Sequence, residues 1–185
     1  MRQEEHPLIG RSLDMPHAPA TIRPVEDAAR FNLRISPDNL AEASAAWGAI
    51  LPARIGELAS SPGRLAACIG PDEWFLIAPL EEQGAIEAAF SALYAKTIHS
   101  LVDVGHREVG IAIEGPAAAD VLQSCIAFEV GAMAMNEARR TIIDRVPIIL
   151  FREAQERFRI EVWHSFSDHV WHLLAGICRE YELGV

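Results

Sequence analysis

His164, Asp168, His169 and His172 bring three imidazoles and a carboxylate into a short stretch. Neutral imidazoles at such spacing ligate zinc. The spacing also has a plainer use. Asp168 and His172 are four apart and pair on one face of a helix. Val170, Leu174, Ile177 and Tyr181 form an apolar stripe that turns the other face toward a core. The cluster is therefore read as a solvated helix face. Asp103, His106, Arg107 and Glu108 form a second cluster. A His–Asp pair serves as a general base, yet no nucleophile stands beside it, because Ser100 falls on a strand rather than on an elbow. A polar hinge between two halves is the reading adopted. Arg139, Arg140 and Thr141 with Asp144 and Arg145 could grip a carboxylate or form an interface salt-bridge set, and the residues leave both open.

Trp47, Trp74, Trp163 and Trp171 are spread out and compose no binding cage, so they are assigned to core or interface packing. Cys68, Cys125 and Cys178 form no CxxC pair and sit in apolar settings, as buried thiols in a reducing compartment do. Neither a GxGxxG nor a GxxxxGK pattern occurs. No catalytic, cofactor-binding or metal residue is assigned.

The elements that must position these residues are clearest over Ser100–Val130. Val109, Ile111 and Ile113 alternate with Gly110, Ala112 and Glu114, the period of a strand with one buried face. Gly115 ends the strand, Pro116 suits a helix start, and Ala118, Val121, Leu122 and Cys125 follow at helical spacing. Upstream, Phe31, Leu33 and Ile35 predict a strand, and Ser36-Pro37-Asp38 starts a helix holding Ala41, Ala45, Trp47 and Ile50. Residues 53–64 read as a loop. Leu65–Ile69 and Trp74–Ala78 form a hairpin. A helix from Glu81 to Tyr94 presents Ile86, Ala89, Phe90 and Leu93, and Leu101, Val102 and Val104 complete a strand. Downstream, Arg140–Ile143 and Pro147–Phe151 pair, Phe158, Ile160 and Val162 alternate, and Ser167 caps a last helix.

Both halves thus repeat one pattern. The fold class is α+β, with two intimately packed ferredoxin-like split β-α-β halves over about 29–105 and 106–185 of a single domain. Residues 1–28, with Pro7, Pro16, Pro19 and Pro24, are read as an extended arm whose Leu8, Ile9, Leu13 and Met15 could bury on a partner. Truncating residues 1–25 is therefore expected to spare the fold.

The chain of 185 residues carries a formal net charge of −10, which argues against a nucleic-acid backbone or an anionic membrane as main partner. Fifteen of its sixteen basic residues are arginine, a type favoured at interfaces. No apolar run approaches the ~18 residues of a membrane helix, the first residues lack a signal-peptide core, and a cytoplasmic location is expected.

The segments GPDEWFLIAP (70–79), SLVDVGHREVGIAIEGPAAADVLQSC (100–125), RRTIIDRVPIILFR (139–152) and FRIEVWHSFSDHVWHLL (158–174) resemble the gamma subunit family of heterotetrameric sarcosine oxidase. The resemblance spans about residues 31–183, with departures at Gly105 and His164. That family is similar in turn to part of the folate-binding aminomethyltransferase (T-protein) fold. The resemblance implies an accessory subunit without catalytic residues. Its partners would be the alpha, beta and delta subunits of an enzyme that oxidatively demethylates sarcosine to glycine, with the one-carbon unit passed to tetrahydrofolate. FAD, FMN, NAD, tetrahydrofolate and zinc are expected on those partner subunits and none in this chain. The alternative is a stand-alone folate-binding or aminomethyltransferase-like protein, a reading that rests on fold analogy.

Overall fold

The computed structural model describes residues 6–13 and 20–183. In chain order the strands are β1 (Thr21–Pro24), β2 (Ala28–Ile35), β3 (Leu58–Ser61), β4 (Arg64–Gly70), β5 (Glu73–Pro79) and β6 (His99–Asp103). They continue as β7 (Glu108–Glu114), β8 (Glu137–Ile143), β9 (Val146–Ala154) and β10 (Arg157–Trp163). The helices are α1 (Leu40–Trp47), α2 (Gln83–Tyr94), α3 (Ala118–Gln123) and α4 (His164–Leu183). The chain divides into two compact units. The first holds Met1–Glu26, Arg107–Met135 and Arg140–Val185, and the second holds Asp27–His106 and Asn136–Arg139.

The second unit runs β2-α1-β3-β4-β5-α2-β6 and orders its antiparallel sheet β3-β4-β5-β2-β6. Phe31, Leu33 and Ile35 point from β2 into a core with Trp74 and Leu76 of β5, Ala43 and Trp47 of α1, and Ile86 and Phe90 of α2. The Trp74 indole N–H donates to the Pro52 carbonyl at 2.8 Å, so its polar edge is satisfied inside the core. Two expectations change here. Residues 53–64 contain β3, which pairs with β4 through Leu58↔Ala67 to Ser61↔Arg64. Its Leu-Ala-Ser-Ser sequence lies between Gly56 and Pro62-Gly63 and carries no alternation to betray it. Helix α1 stops at Trp47 because Gly48 turns left-handed (φ 76°), leaving Ile50 outside it and 81% exposed. Ala41, Ala45 and Trp47 lie within the helix, and its buried residues are Ala43 and Trp47.

The first unit runs β7-α3-β8-β9-β10-α4 and orders its sheet β1-β7-β10-β9-β8. From the opposite end, β8-β9-β10-β7-β1 matches β3-β4-β5-β2-β6 strand for strand. The place held by β6 is held here by β1, drawn from the segment read as an arm. Strand β1 pairs antiparallel with β7 from Thr21↔Glu114 to Pro24↔Ile111. Leu8 and Ile22 are buried and Leu13 nearly so, in the core that Ile111, Ile113, Phe158, Ile160, Val162, Val170 and Leu174 also build. Residues 6–13 and 20–26 are thus part of the first unit. Met15, Pro16 and Pro19 lie outside the described residues. Leu8, Leu13 and Ile22 follow no period, and their partners lie some ninety positions away, so local pattern could not reveal them.

Strand β7 is buried on both faces rather than one, because Gly110 and Ala112 are also enclosed. A Cβ on Gly110 would lie 2.8 Å from the Val25 Cβ and 3.1 Å from Glu161 Oε1, so only glycine fits. Helix α4 starts at His164, and Ser167 lies inside its first turn with its hydroxyl donating to the His164 carbonyl at 2.8 Å. The stripe facing the core includes Val170, Trp171, Leu174, Ile177 and Cys178, while Tyr181 is 41% exposed. Among the described residues no helix is long and apolar enough to cross a membrane.

Candidate functional site

Helix α4 carries His164, Asp168, His169 and His172 on its exposed side, directly after Trp163 ends β10. The structure engages them locally. Asp168 Oδ1 lies 2.5 Å from Arg11 Nη2 and 3.8 Å from His172 Nε2. His169 Nε2 lies 3.1 Å from Asp144 Oδ2, in the left-handed turn (φ 52°) between β8 and β9. No group of three metal-capable side chains forms among the described residues. These contacts tie the Arg11 segment and the β8–β9 turn to α4, each at the ~0–1 kcal/mol of an exposed pair.

The second cluster divides between the units, with Asp103 and His106 in the second and Arg107 and Glu108 in the first. Asp103 is occupied by its own surroundings, Oδ1 accepting the Gly105 N–H at 2.8 Å and Oδ2 the Gln83 amide at 2.9 Å. Arg107 Nε lies 3.0 Å from Glu108 Oε1. In the third cluster Arg139 Nε bonds Glu137 Oε1 at 2.6 Å, and Asp144 faces His169 rather than the arginines. Trp47, Trp74 and Trp171 are core residues. Trp163 is not: it is 43% exposed and stacks on Phe166 with centroids 6.2 Å apart. The Arg107 guanidinium lies 5.3 Å from the Trp163 ring, which makes a cationic-aromatic platform.

Burial pushes the Cys125 thiol up to about 12 and the Cys178 thiol up to about 11, so neither is a thiolate near neutral pH. Burial likewise raises Cys68.

Two buried polar features escape a reading of the sequence. Arg152 is nearly enclosed and lays its guanidinium 5.3 Å from the Phe158 ring. It donates to the carbonyls of Gly131 at 2.9 Å, Met133 at 2.5 Å and Gln155 at 3.0 Å. Arg159 and Glu161, on the face of β10 opposite Ile160, are 8% and 1% exposed and bond at 2.6 Å. The charges alternating with Phe158, Ile160 and Val162 look like a solvated row in the sequence. Nothing local distinguishes that from a paired, buried row.

These arrangements can brace loops and present an interface. They bring no nucleophile to a base. A family model described as sarcosine oxidase, gamma subunit family matches residues 34–180. The chain is 31% identical over 167 residues to the sarcosine oxidase subunit gamma of Corynebacterium sp. (strain U-96), spanning 88% of this chain and 80% of that protein. It is 28% identical over 165 residues to the subunit gamma of Arthrobacter sp., spanning 86% and 80%. A chain of the heterotetrameric sarcosine oxidase from Corynebacterium sp. U-96, solved in complex with pyrrole 2-carboxylate, overlays with a TM-score of 0.81 at 30% identity. That overlay covers 92% of this chain and 89% of the other. Aminomethyltransferase T of the glycine cleavage system from Bartonella henselae overlays at 0.63 and 15% identity, over 86% of this chain and 46% of that one. The last likeness is one of fold.

Proposed function

Because the chain belongs to the sarcosine oxidase gamma subunit family, we propose that it is an accessory, structural subunit of a heterotetrameric sarcosine oxidase and performs no chemistry of its own. The assembly oxidatively demethylates sarcosine to glycine and passes the one-carbon unit to tetrahydrofolate. FAD, FMN, NAD, tetrahydrofolate and zinc sit on the alpha, beta and delta partner subunits, and the complex works in the cytoplasm. The overlay on a chain of a heterotetrameric sarcosine oxidase along nearly the whole length carries this reading. It is supported by the local engagement of Asp103 with Gly105 and Gln83, of Asp144 with His169 and of Asp168 with Arg11, contacts that brace loops and helix α4. The exposed Trp163–Phe166–Arg107 platform adds to it, since tryptophan and arginine are the residue types that anchor interfaces. A stand-alone folate-binding protein is not proposed, because the likeness to aminomethyltransferase T supports the fold alone.

Native mass spectrometry of the tagged chain co-expressed with alpha, beta and delta subunits tests the proposal. An equimolar flavin-bearing complex with sarcosine-dependent peroxide production is expected, and neither property from the purified chain alone. Partner subunits that assemble and turn over without this chain would refute it, as would peroxide production by the chain alone.

A further inference from the structure

Four strands end the two sheets, β3 and β6 in the second unit and β1 and β8 in the first. The outer edge of such a strand carries a row of backbone N–H and C=O groups that extended chain can satisfy in series. Natural sheets guard it with charge, proline, a bulge or a covering segment. Three of these edges are bridged by the chain itself. Leu13 pairs with Ile22 of β1 through reciprocal N–H···O bonds of 3.0 and 3.2 Å. Ile126 bridges Ile143 of β8, and the Asp144 N–H donates to the Cys125 carbonyl at 2.9 Å. At β3 the Leu58 N–H donates to the Asn136 carbonyl and the Ala138 N–H to the Gly56 carbonyl, both at 2.8 Å. Among the described residues, β6 has no such segment.

The register shows which groups that edge presents. The Val104 N–H donates to the Arg30 carbonyl at 2.8 Å, and the pairing continues as Asn32↔Val102 and Arg34↔Ser100. Ladder bonds alternate along an antiparallel strand, so Ser100 and Val102 turn their backbone groups to β2, while His99, Leu101 and Asp103 turn theirs outward. From Thr97 to Val102 the sequence TIHSLV has no lysine, arginine, carboxylate or proline. Ile98 is 84% exposed, Val102 49%, and Tyr94, at the end of α2, 60%. The nearest charges, Lys96 and Asp103, stand at the two ends of this stretch, and the Asp103 carboxylate is turned onto the Gly105 N–H and the Gln83 amide, so apolar side chains flank the ladder between them.

We propose that the outer edge of β6 is a strand-addition site, where an extended segment of another subunit of the oxidase pairs antiparallel with His99–Asp103 and lays apolar side chains beside Ile98 and Val102. This rests on the subunit reading given above. The bridge of Leu13 to Ile22 at the matching strand of the first unit is the intrachain form of the same contact.

Residue-resolved hydrogen–deuterium exchange on the full chain, free and in the purified assembly, reads the ladder directly. The Leu101 amide is expected to slow at least about tenfold on assembly. An unchanged rate there overturns the proposal. The double variant Ile98→Lys/Val102→Lys alters exposed side chains only and is expected to keep the melting temperature of the full chain. Its recovery in the co-expressed complex should fall about tenfold, while Ile55→Lys, at a position 64% exposed in the same unit, assembles as the unmodified chain does. Undiminished recovery of the double variant overturns the strand-addition site and leaves the subunit reading standing. So does a homodimer of the chain that the double variant abolishes while complex recovery is unaffected. An unmodified chain that fails to assemble at all overturns both.

Discussion

Leu8 and Ile9 are neighbours in sequence with opposite fates, fully buried and 66% exposed, and the pair tests whether the first residues belong to the core. Leu8→Ala removes a side chain packed inside the first unit, and enclosed leucines cost about 2–5 kcal/mol when truncated. Complete burial argues for the middle of that range, about 3 kcal/mol. In a chain of this length each kcal/mol moves the midpoint by about 2–4 °C, so the first unit should melt about 6–12 °C lower. Ile9→Ala should stay within about 0.5 kcal/mol, under 2 °C. Thermal and urea unfolding followed by tryptophan fluorescence reads both units, since Trp163 and Trp171 lie in the first and Trp47 and Trp74 in the second. Indistinguishable melts for the two variants would refute the placement of Leu8. They would also restore the extended arm, with its expectation that truncation spares the fold. On the present structure, deleting residues 1–25 instead removes β1 and destabilises the first unit.

Ile160→Asp puts a charge among wholly enclosed residues of β10 and should consume much of the ~5–15 kcal/mol that holds a domain together, leaving the first unit unfolded by circular dichroism, whereas Ile160→Val costs only about 1 kcal/mol. Arg152→Met keeps the apolar stem of the side chain but strips donors from the carbonyls of Gly131, Met133 and Gln155; with ~1–3 kcal/mol for the orphaned buried Met133 acceptor and less for the other two, which water reaches, a loss of about 2–3 kcal/mol in urea unfolding is expected. Gly110→Ala, forced against Val25 and Glu161, should cost about 1–3 kcal/mol by the same measurement. Cys125 and Cys178 stay protonated in the fold beyond the pH at which an ordinary thiol of 9.0 ionises. Between those values the unfolded state has released protons that the folded state retains, so stability should fall as pH rises from about 9 toward 12 and be level below. Cys125→Ala should flatten that slope in urea midpoints, and an unchanged slope would refute the assignment.

Strands with alternating residues and near neighbours were legible in the residues alone. Phe31–Leu33–Ile35, the β4–β5 hairpin and Phe158–Ile160–Val162 appear where periodicity places them. What escaped depends on distant partners or on backbone. Strand β3 is held by ladder bonds to β4 and to Asn136 rather than by side-chain pattern. The end of α1 is set by the left-handed turn at Gly48, which leaves Ile50 outside the helix. Of the candidate clusters, the Asp168–His172 pairing was readable from its four-residue spacing. Arg11 and Asp144, which complete that surface, come from elsewhere in the chain and leave no local trace.

The ladder between β1 and β7, which joins Thr21 to Glu114, also sets an order of events at the ribosome. Strand β1 leaves first, yet its neighbour is made only after nearly the whole second unit has emerged. The β2–β5 and β2–β6 ladders can close as soon as Asp103 has emerged, while the β1–β7 pairing must wait for residues 108–114 to follow. The second unit should therefore fold on the nascent chain while residues 20–26 wait unpaired. Limited proteolysis of stalled chains would show this as a resistant 27–106 fragment with cleavage near Arg23 that disappears once β7–β10 are exposed. Protection at Arg23 before β7 has emerged would overturn that order.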